Sequence, residues 1–356
     1  MQLTPEVKAQ LAEQKKDCVF CKIIKKEIPA KIVFEDPATL AVLDIYPATK
    51  GHTLYLLKEH YPIMPYLPVE DFHHLFGLLP QLTKAIKSAM VSVALNIFIA
   101  NGGAAGQQYP HFLIHLMPRD EGDNFFPFLF NKKNKPLAQD KLQQIQSTLQ
   151  QIMQNYFLSS PQFWHNSSGT IPSHLTSLAK TSTVLYEDEK VLCLLPTSNL
   201  IEGHIELYSK TEPYYFEKLS QTDAIHFFTV ASFVASLQFQ ILQCQGTNLI
   251  IKSGITDDNK SGTLCLNILP RTQNDSLQSL HWEPKQPTYK LEDIEAKIKD
   301  KTWNIKYKIE SPKEPPKPEP KKSSPFATLS SAQPSSSKAL SVEDEIAKAI
   351  EKAQRI

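Results

Sequence analysis

The fold is decided by one stretch of the sequence, Pro110-His111-Phe112-Leu113-Ile114-His115-Leu116-Met117-Pro118-Arg119. It is predicted to be a β-strand, in which successive side chains point to opposite faces of a sheet. His111, Leu113 and His115 therefore lie on one face. Two histidines with a leucine between them are the feature that any functional interpretation has to explain.

The composition indicates a globular protein without a strong electrostatic preference. Its 356 residues are enough for two cores of ordinary size. With 38 basic and 37 acidic residues the net charge is +1, so the charge balance does not point to nucleic acid or an anionic membrane as a partner. No run approaches the ~18 apolar residues that a membrane span requires, and we expect no membrane association.

The cysteines and the N-terminal residues predict a reducing compartment. Residues 1–8 lack the apolar core of a signal peptide. Five cysteines, two of them spaced as Cys18-x-x-Cys21, do not form the framework of a secreted disulfide-rich domain. We therefore expect a cytoplasmic protein.

An internal repeat runs through the chain with a constant offset of 152 residues, which takes Phe34 to Tyr186. Gly51-His52 recurs as Gly203-His204, and Pro118-Arg119 recurs as Pro270-Arg271. An offset that holds over ~85 residues without a gap predicts two copies of one domain.

Each copy combines strands with helices, which predicts an α+β architecture. Apolar residues at helical spacing predict a long helix that starts near Val69 and bends or shifts at Pro80. In the second copy Thr222 or Asp223 is the predicted N-cap of a helix that runs to about Leu242. A last helix is expected from Asp140 to about Phe157 in the first copy and from Glu292 to about Lys299 in the second.

The chain is predicted to contain five segments. They are an N-terminal helix (1–16), the first copy (17–160), the second copy (165–309), a disordered linker rich in Pro, Ser, Lys and Glu (310–340), and a short helix (341–356). Val342, Ile346 and Ile350 form an apolar stripe on that short helix, which is too short to be stable alone and is expected to need a partner surface.

Six features of the first copy together resemble the histidine triad (HIT) family. In order they are Cys18-Val19-Phe20-Cys21, Leu43-Asp44-Ile45, Gly51-His52-Thr53, Lys58-Glu59-His60, the loop 101–107, and the strand 110–119. The resemblance covers roughly residues 18–118, and the repeat extends it to about 170–271. It implies two tandem HIT-like domains, each with a mainly antiparallel sheet and a long helix. HIT domains commonly pair side by side, so the copies are expected to form an intramolecular pseudo-dimer, with Phe125–Phe130 at the interface.

The resemblance also shows what the first copy lacks. The middle histidine of the family attacks the α-phosphate of a nucleotide, and this position is Leu113, which has no lone pair. His115 cannot take its place, because residues two apart on a strand are separated by roughly 6.5–7 Å. No confident catalytic residue remains, and His115 is the candidate for any residual activity.

Most of the family's nucleotide-binding residues are present in the first copy. Asp44 and Ile45 match the ribose contacts, and Asn101, Gly106 and Gln107 match the loop that holds the phosphates. His115 and His52 are further candidates for phosphate contacts. The alternative interpretation is that these residues only shape turns, as Asn and Gly often do. The implied ligand is a purine nucleotide or another nucleotide phosphate.

Four residues match a zinc site that some family members carry, namely Cys18, Cys21, His60 and His111. Two thiolates and two imidazoles suit tetrahedral Zn²⁺, and a site closed by four protein ligands is structural. The resemblance therefore implies one structural zinc in the first copy.

The second copy lacks the site residues. Its triad positions are Thr263, Cys265 and Asn267, and Pro196 replaces Asp44. Cys265 has no obvious base and is predicted to be buried and inert. The zinc positions correspond to Thr170, Ser173, Glu212 and Thr263, so no metal is expected there.

Three functions are compatible with these residues. The first is a HIT-family nucleotide-binding protein with little or no hydrolase activity, a pseudoenzyme in which the second copy serves architecture. The second is an active nucleotide hydrolase or transferase that uses His115 by a mechanism outside the family. The third is a scaffold protein that acts through the C-terminal helix.

Overall fold

The computed structural model describes residues 12–308 except 134, 160–168, 274, 276, 278, 279 and 281. Residues 12–17 are helical, which agrees with the end of the predicted N-terminal helix. The predicted linker (310–340) and C-terminal helix (341–356) lie outside the described residues.

A single antiparallel sheet of ten strands organises the molecule. The strands are β1 (Ile32–Glu35), β2 (Thr39–Leu43), β3 (Thr53–Leu57), β4 (Ala94–Asn101), β5 (Ile114–Arg119), β6 (Thr183–Glu187), β7 (Val191–Leu195), β8 (Ile205–Ser209), β9 (Gly246–Ser253) and β10 (Cys265–Arg271). Their order in the sheet is β1-β2-β3-β5-β4-β9-β10-β8-β7-β6. The expected mixed fold with a mainly antiparallel sheet is confirmed.

The sheet has the same strand order in both halves, read from the outside to the centre. The halves meet where β4 pairs with β9, and Phe98 lies opposite Ile250. These two residues are equivalents in the repeat, so a pseudo-two-fold axis passes through this pair. We refer to residues 12–159 as the first half and to residues 169–308 as the second half.

Six further helices are described, and the two longest lie over the sheet. They are α1 (Val19–Ile24), α2 (Val69–Met90), α3 (Gln139–Ser159), α4 (Ser173–Thr181), α5 (Gln221–Leu242) and α6 (Leu291–Thr302). Phe76 of α2 and Phe228 of α5 are fully buried and stack with ring centroids 4.1 Å apart. The two long helices therefore meet across the pseudo-two-fold axis over a common core.

The ends of the long helices test the predictions made from sequence. Helix α2 begins at Val69 as predicted, and it continues through Pro80 without a change of boundary. The predicted N-cap of α5 was wrong, because Ser220 occupies that position and its side chain accepts a hydrogen bond from the backbone N–H of Asp223 (3.0 Å). A serine hydroxyl is among the preferred acceptors at this position.

The last helix of each half packs on the other half. Helix α3 contacts α5 and β6, and the side-chain amide of Gln146 donates to the carbonyl of Val184 (3.0 Å). Helix α6 contacts α2 and β1, and the hydroxyl of Thr302 donates to the carbonyl of Val33 (2.7 Å). The two halves thus exchange their last helices, α3 and α6. Each of these helices covers the edge strand of the other half, β6 or β1.

Helix α5 is also the one described helix that is long and apolar enough to cross a membrane. More than half of its apolar stretch is buried inside the protein. The buried positions pack against α2, α3 and the sheet. Core helices share this composition, so the hydropathy of α5 is explained by its place in the fold.

The segments that follow β5 and β10 pack together in one apolar cluster. Phe125 and Phe128 are buried in a cluster that also contains Leu200, Leu269 and Leu277 of the second half. Phe126, by contrast, is 53% exposed. The phenylalanine-rich stretch therefore lies at the contact between the halves, although not all of its rings are buried.

Candidate functional site

Four ligand atoms converge at the start of the strand that carries the histidines. The Sγ of Cys18 is 3.5 Å from Nδ1 of His111, and the Sγ of Cys21 is 3.3 Å from Nδ1 of His60 and 3.8 Å from Nδ1 of His111. All four side chains are buried. Helix α1, the turn after β3 and the segment before β5 each contribute to the cluster.

These separations fit a tetrahedral zinc site. With Zn–S of about 2.3 Å and Zn–N of about 2.0–2.1 Å, a tetrahedron places sulfur and nitrogen ligands roughly 3.5–3.6 Å apart. The opposite ring nitrogen of His111 donates to the carbonyl of Leu57 (2.9 Å), which leaves Nδ1 unprotonated and directed at the cluster. The residues present can therefore hold zinc through two sulfur and two Nδ1 ligands.

Burial determines the protonation of this cluster when it holds no metal. It lowers the pKa of His111 to about 4 and raises the pKa of Cys21 to about 12. The imidazole is therefore neutral and ready to coordinate at neutral pH, whereas the thiol must release its proton when a metal binds.

Leu113 is part of an apolar cluster on the same face of the sheet. It is 8% exposed and packs with Phe20 of α1, Leu54 and Leu56 of β3, and other residues of β2. The cluster is continuous with Cys18 and Cys21. The position of the family nucleophile is thus filled by a side chain that fits its apolar surroundings.

Two histidines and a carboxylate meet beyond Leu113. Nε2 of His52 lies 3.1 Å from Nδ1 of His115, and Nδ1 of His52 lies 3.3 Å from a carboxylate oxygen of Asp44. Asp44 also accepts a hydrogen bond from the backbone N–H of Tyr46 (2.9 Å). Three of the predicted nucleotide-binding side chains are therefore in direct contact.

Hydrogen bonds fix the tautomers of this pair. The backbone N–H of Ala48 donates to Nδ1 of His52 (3.1 Å), so the proton of that imidazole is on Nε2. It is donated to Nδ1 of His115, which leaves the proton of His115 on Nε2. Burial lowers the pKa of both imidazoles to about 3, so both are neutral at physiological pH. His115 is half-buried, and its Nε2 has no hydrogen-bond partner in the described part of the chain.

Burial acts in the opposite direction on the carboxylate, because it raises the pKa of Asp44.

The Nε2–H group of His115 is a hydrogen-bond donor, and a donor suits a phosphate oxygen. A nitrogen that carries a proton is not a nucleophile, so the arrangement is suited to binding rather than to attack.

The predicted phosphate loop is formed, but its two amide side chains are already engaged. Asn101 accepts from the backbone N–H of Met64 (3.1 Å) and donates to Thr247 of the second half (3.2 Å). Gln107 accepts from the N–H of Gly102 (2.8 Å) and donates to the carbonyl of Pro62 (2.5 Å). In this conformation both side chains hold turns together, as the alternative interpretation predicts.

The other two predicted ligand residues remain available. Ile45 is 59% exposed beside Asp44, where an apolar side chain can meet the sugar or base of a ligand. Gly106 has a φ of +86°, a conformation that a residue with a Cβ rarely adopts. The sharp turn after β4 therefore depends on this glycine.

The second half keeps the framework of this arrangement but not its chemistry. His204 accepts at Nδ1 from the N–H of Leu200 (3.3 Å) and meets Asn267 through Nε2 (3.1 Å). Asp258 stands at the position of Gly106, and it accepts a hydrogen bond from the guanidinium of Arg119 (3.0 Å). An acidic side chain at this position opposes phosphate binding.

Cys265 differs from its prediction in one respect. It is half-buried rather than fully buried. Burial nevertheless raises its pKa to about 12, so it is a thiol and not a thiolate at neutral pH. The prediction that it is inert is consistent with this protonation state.

Sequence reasoning missed one residue of the site, Trp282. Its indole lies 5.5 Å from the ring of His52 and 5.4 Å from that of His115, measured between centroids. The repeat pairs Trp282 with Phe130, another aromatic residue, and this was the signal available in the sequence. Only the exchange between the halves brings Trp282 to the histidines of the first half.

Comparison with known protein families matches residues 25–122 to the HIT domain. An uncharacterized HIT-like protein of Methanocaldococcus jannaschii is 42% identical over 106 residues, 30% of this chain and 81% of that protein. An adenylylsulfatase of Arabidopsis thaliana is 38% identical over 116 residues, 33% of this chain and 59% of that protein. An adenosine 5'-monophosphoramidase of Schizosaccharomyces pombe is 38% identical over 102 residues, 29% of this chain and 74% of that protein.

Two solved structures are also similar to part of this chain. A HIT family protein of Bacillus anthracis is 36% identical and matches 38% of this chain and 96% of that one, with a TM-score of 0.34. A zinc-bound histidine triad family protein of Mycobacterium smegmatis is 33% identical and matches 31% of this chain and 81% of that one, with a TM-score of 0.29. With a relative 42% identical over most of its own length, and a HIT domain that spans the β1–β5 sheet, this chain belongs to the histidine triad family, whose members bind or hydrolyse nucleotides.

Proposed function

We propose that the first half binds a nucleotide through its phosphate and turns it over slowly or not at all. The observation that carries this proposal is the contrast between Leu113, which lies just before β5, and His115, which lies within it. Leu113 packs in an apolar cluster and supplies no nucleophile, while His115 directs an N–H donor away from His52. The position of the family nucleophile and the candidate phosphate donor are thus two residues apart in the sequence, and only the second keeps a polar side chain.

The relatives suggest which nucleotide to use as a probe. The names of two of them, an adenylylsulfatase and an adenosine 5'-monophosphoramidase, describe activity on adenylates. We therefore propose an adenosine 5'-phosphate as the ligand. Asp44 would accept hydrogen bonds from the ribose, and Ile45 would contact the sugar or base from its exposed position.

We further propose that Cys18, Cys21, His60 and His111 hold a structural zinc. All four positions of a tetrahedral site would be filled by protein, so the metal would have no position open for substrate. Its effect on the ligand site would be mechanical, because it would fix the segment that leads into β5 just before Leu113.

The second half is proposed to serve architecture. It supplies strands β6–β10 and helix α6, and its phosphate-loop position is occupied by Asp258, which is engaged with Arg119. The cytoplasmic location stays a prediction.

Calorimetric titration of AMP into the full-length protein tests this function, with Asp44→Asn as the variant that removes the ribose contact. We expect wild type to bind and the variant to bind at least tenfold more weakly, which corresponds to about 1.4 kcal/mol. Adenosine 5'-monophosphoramidate serves as the substrate in a parallel hydrolysis assay. Failure of wild type to bind AMP would refute nucleotide binding, and rapid turnover that is lost in His115→Ala would refute the absence of catalysis.

A second candidate function follows from the loop 101–107. Asn101 and Gln107 are satisfied by contacts within the protein, as expected of a turn that is retained for structure alone. The chain would then be a scaffold, with a partner bound elsewhere, for example through the predicted C-terminal helix. Retention of the melting temperature in the presence of millimolar AMP would support this function, because a bound ligand at ~100 times its Kd should stabilise the protein by about 2.7 kcal/mol.

A further inference from the structure

One aromatic side chain of the second half is inserted beside the candidate ligand site of the first half. The indole of Trp282 contacts the rings of His52 and His115 at steep angles of 78° and 74°. On its other sides it contacts Phe98 at 5.5 Å and Phe125 at 6.4 Å. The indole is therefore held between a histidine pair and two phenylalanine rings.

The pseudo-two-fold axis provides an internal comparison. Phe130 is the equivalent of Trp282, and it contacts His204 of the second half at 6.4 Å. There the histidine meets Asn267 instead of a second imidazole. The larger aromatic residue, Trp282, thus lies beside a pair of histidines, and the smaller one, Phe130, lies beside a single histidine that is hydrogen-bonded to the side chain of Asn267.

The contacts of Trp282 limit how the histidine pair can rearrange. His115 has Phe98 beside it at 5.6 Å in addition to Trp282, and its Nδ1 is engaged by His52. A rotation of the His115 ring would break the hydrogen bond from His52, and the neighbouring ring of Phe98 offers no replacement donor or acceptor.

We propose that Trp282 is a positioning residue for the ligand site of the first half, supplied by the second half, and that it holds His115 in the one orientation that presents Nε2–H to an anionic ligand. This role rests on the proposed function only for the identity of the ligand. The orientation of His115 is a property of the unliganded protein and can be measured without any nucleotide.

The proposal explains why the second half is needed although it has lost the site residues of its own. A first half without the segment that carries Trp282 would leave one side of the histidine pair open to water. The imidazoles would then be solvated and could exchange tautomers and orientations. The second half therefore completes a site that lies in the first.

The experiment compares wild type with Trp282→Ala, Trp282→Phe and Trp303→Phe by NMR of ¹⁵N-histidine-labelled full-length protein. Trp303 is 80% exposed, and its substitution controls for the loss of a tryptophan as such. In wild type and in Trp303→Phe, His115 is expected to remain a single neutral Nε2–H tautomer from pH 5 to pH 8. In Trp282→Ala its signals should titrate within this range or show exchange between tautomers, with Trp282→Phe in between.

AMP affinity is measured on the same four proteins. We expect Trp282→Ala to weaken binding by about tenfold and Trp303→Phe to leave it unchanged. If wild type binds no AMP but the His115 signals change in Trp282→Ala, the proposed function is wrong and the positioning role stands. If the His115 signals are the same in wild type, Trp282→Phe and Trp282→Ala, the positioning role is refuted. Should the alanine variant fail to fold, the phenylalanine variant decides.

Discussion

Replacing Leu113 by histidine restores the residue of the family nucleophile, and we expect it to destabilise the protein. Leu113 is 8% exposed and packs with Phe20, Leu54 and Leu56. A histidine side chain at this position would be surrounded by apolar side chains, which offer no hydrogen-bond partner to its two ring nitrogens. The substitution therefore introduces a polar group into an apolar cluster.

The size of the effect follows from two contributions. Loss of a nearly buried leucine removes roughly 1.5–3 kcal/mol of burial free energy. Burying an imidazole nitrogen without a partner costs about 1–3 kcal/mol. We expect Leu113→His to lower the free energy of unfolding by about 2.5–6 kcal/mol, whereas Leu113→Met, which conserves volume, should cost less than about 1.5 kcal/mol.

Urea unfolding of wild type and of the two variants checks this prediction, with the slope of the free energy against urea concentration used to confirm that the unfolding reaction is unchanged. Zinc content is measured on each sample, because the apolar cluster is continuous with Cys18 and Cys21. A Leu113→His variant as stable as Leu113→Met would show that the position is polar or solvated, and the reasoning about the lost nucleophile would fail.

Three further predictions concern the metal, the contact between halves and pH. His60→Ala should reduce zinc from one equivalent per chain to near zero and lower the melting temperature, and wild type that holds no zinc when purified without chelator would contradict it. Asp258→Ala, which leaves one side of the buried guanidinium of Arg119 unpaired, should reduce the free energy of unfolding by about 2–4 kcal/mol in urea titrations. Burial opposes ionisation of Asp188, but hydrogen bonds led by that from His226 outweigh it and keep its pKa below the usual range. The stability that this carboxylate contributes is present above its unfolded pKa of about 3.9 and is lost as the pH falls through its folded pKa, so wild type should lose stability below pH 4 more steeply than Asp188→Asn.

The sequence predicts those parts of the fold that depend on local pattern or on the repeat. The alternation around His111 and His115 predicts a strand, of which residues Ile114–Arg119 are formed while His111 and Leu113 lie just before it. Helix α2 begins where the spacing predicts. The Cys-x-x-Cys pair and the two histidines converge as expected, because strand and turn positions are fixed by the fold. These features require only that each segment adopts its own preferred structure.

The sequence does not predict which half a segment packs against. The exchange of α3 and α6 between the halves depends on the direction in which the chain leaves β5 and β10, and residue types do not encode that direction. The contact of Trp282 with His115 is a consequence of this exchange. In the same way, whether Asn101 meets a phosphate or Thr247 depends on a neighbour 146 residues away in the sequence.

The two halves differ in a way that separates architecture from function. Both halves contain a hydrogen bond between a histidine of the long helix and an aspartate in the turn after the first strand. These bonds are His74 to Asp36 (2.6 Å) and His226 to Asp188 (2.8 Å). These histidines were not predicted as structural residues, yet their positions obey the repeat. An ion pair between an arginine and the aspartate four residues later also occurs in both halves, at Arg119 and at Arg271.

The positions that differ lie on one face of the sheet, around the ligand site of the first half. Leu54 and Leu113 become Glu206 and Cys265, and Glu206 is buried in an ion pair with Lys132 of the first half. This buried carboxylate is paired with Lys132 of the first half and also accepts a hydrogen bond from the hydroxyl of Tyr208 (2.7 Å). The same crossing of segments that brings Lys132 to the second half brings Trp282 to the first. The halves therefore depend on each other at both places: one is a structural ion pair, and the other is the site at which we propose that a nucleotide phosphate binds.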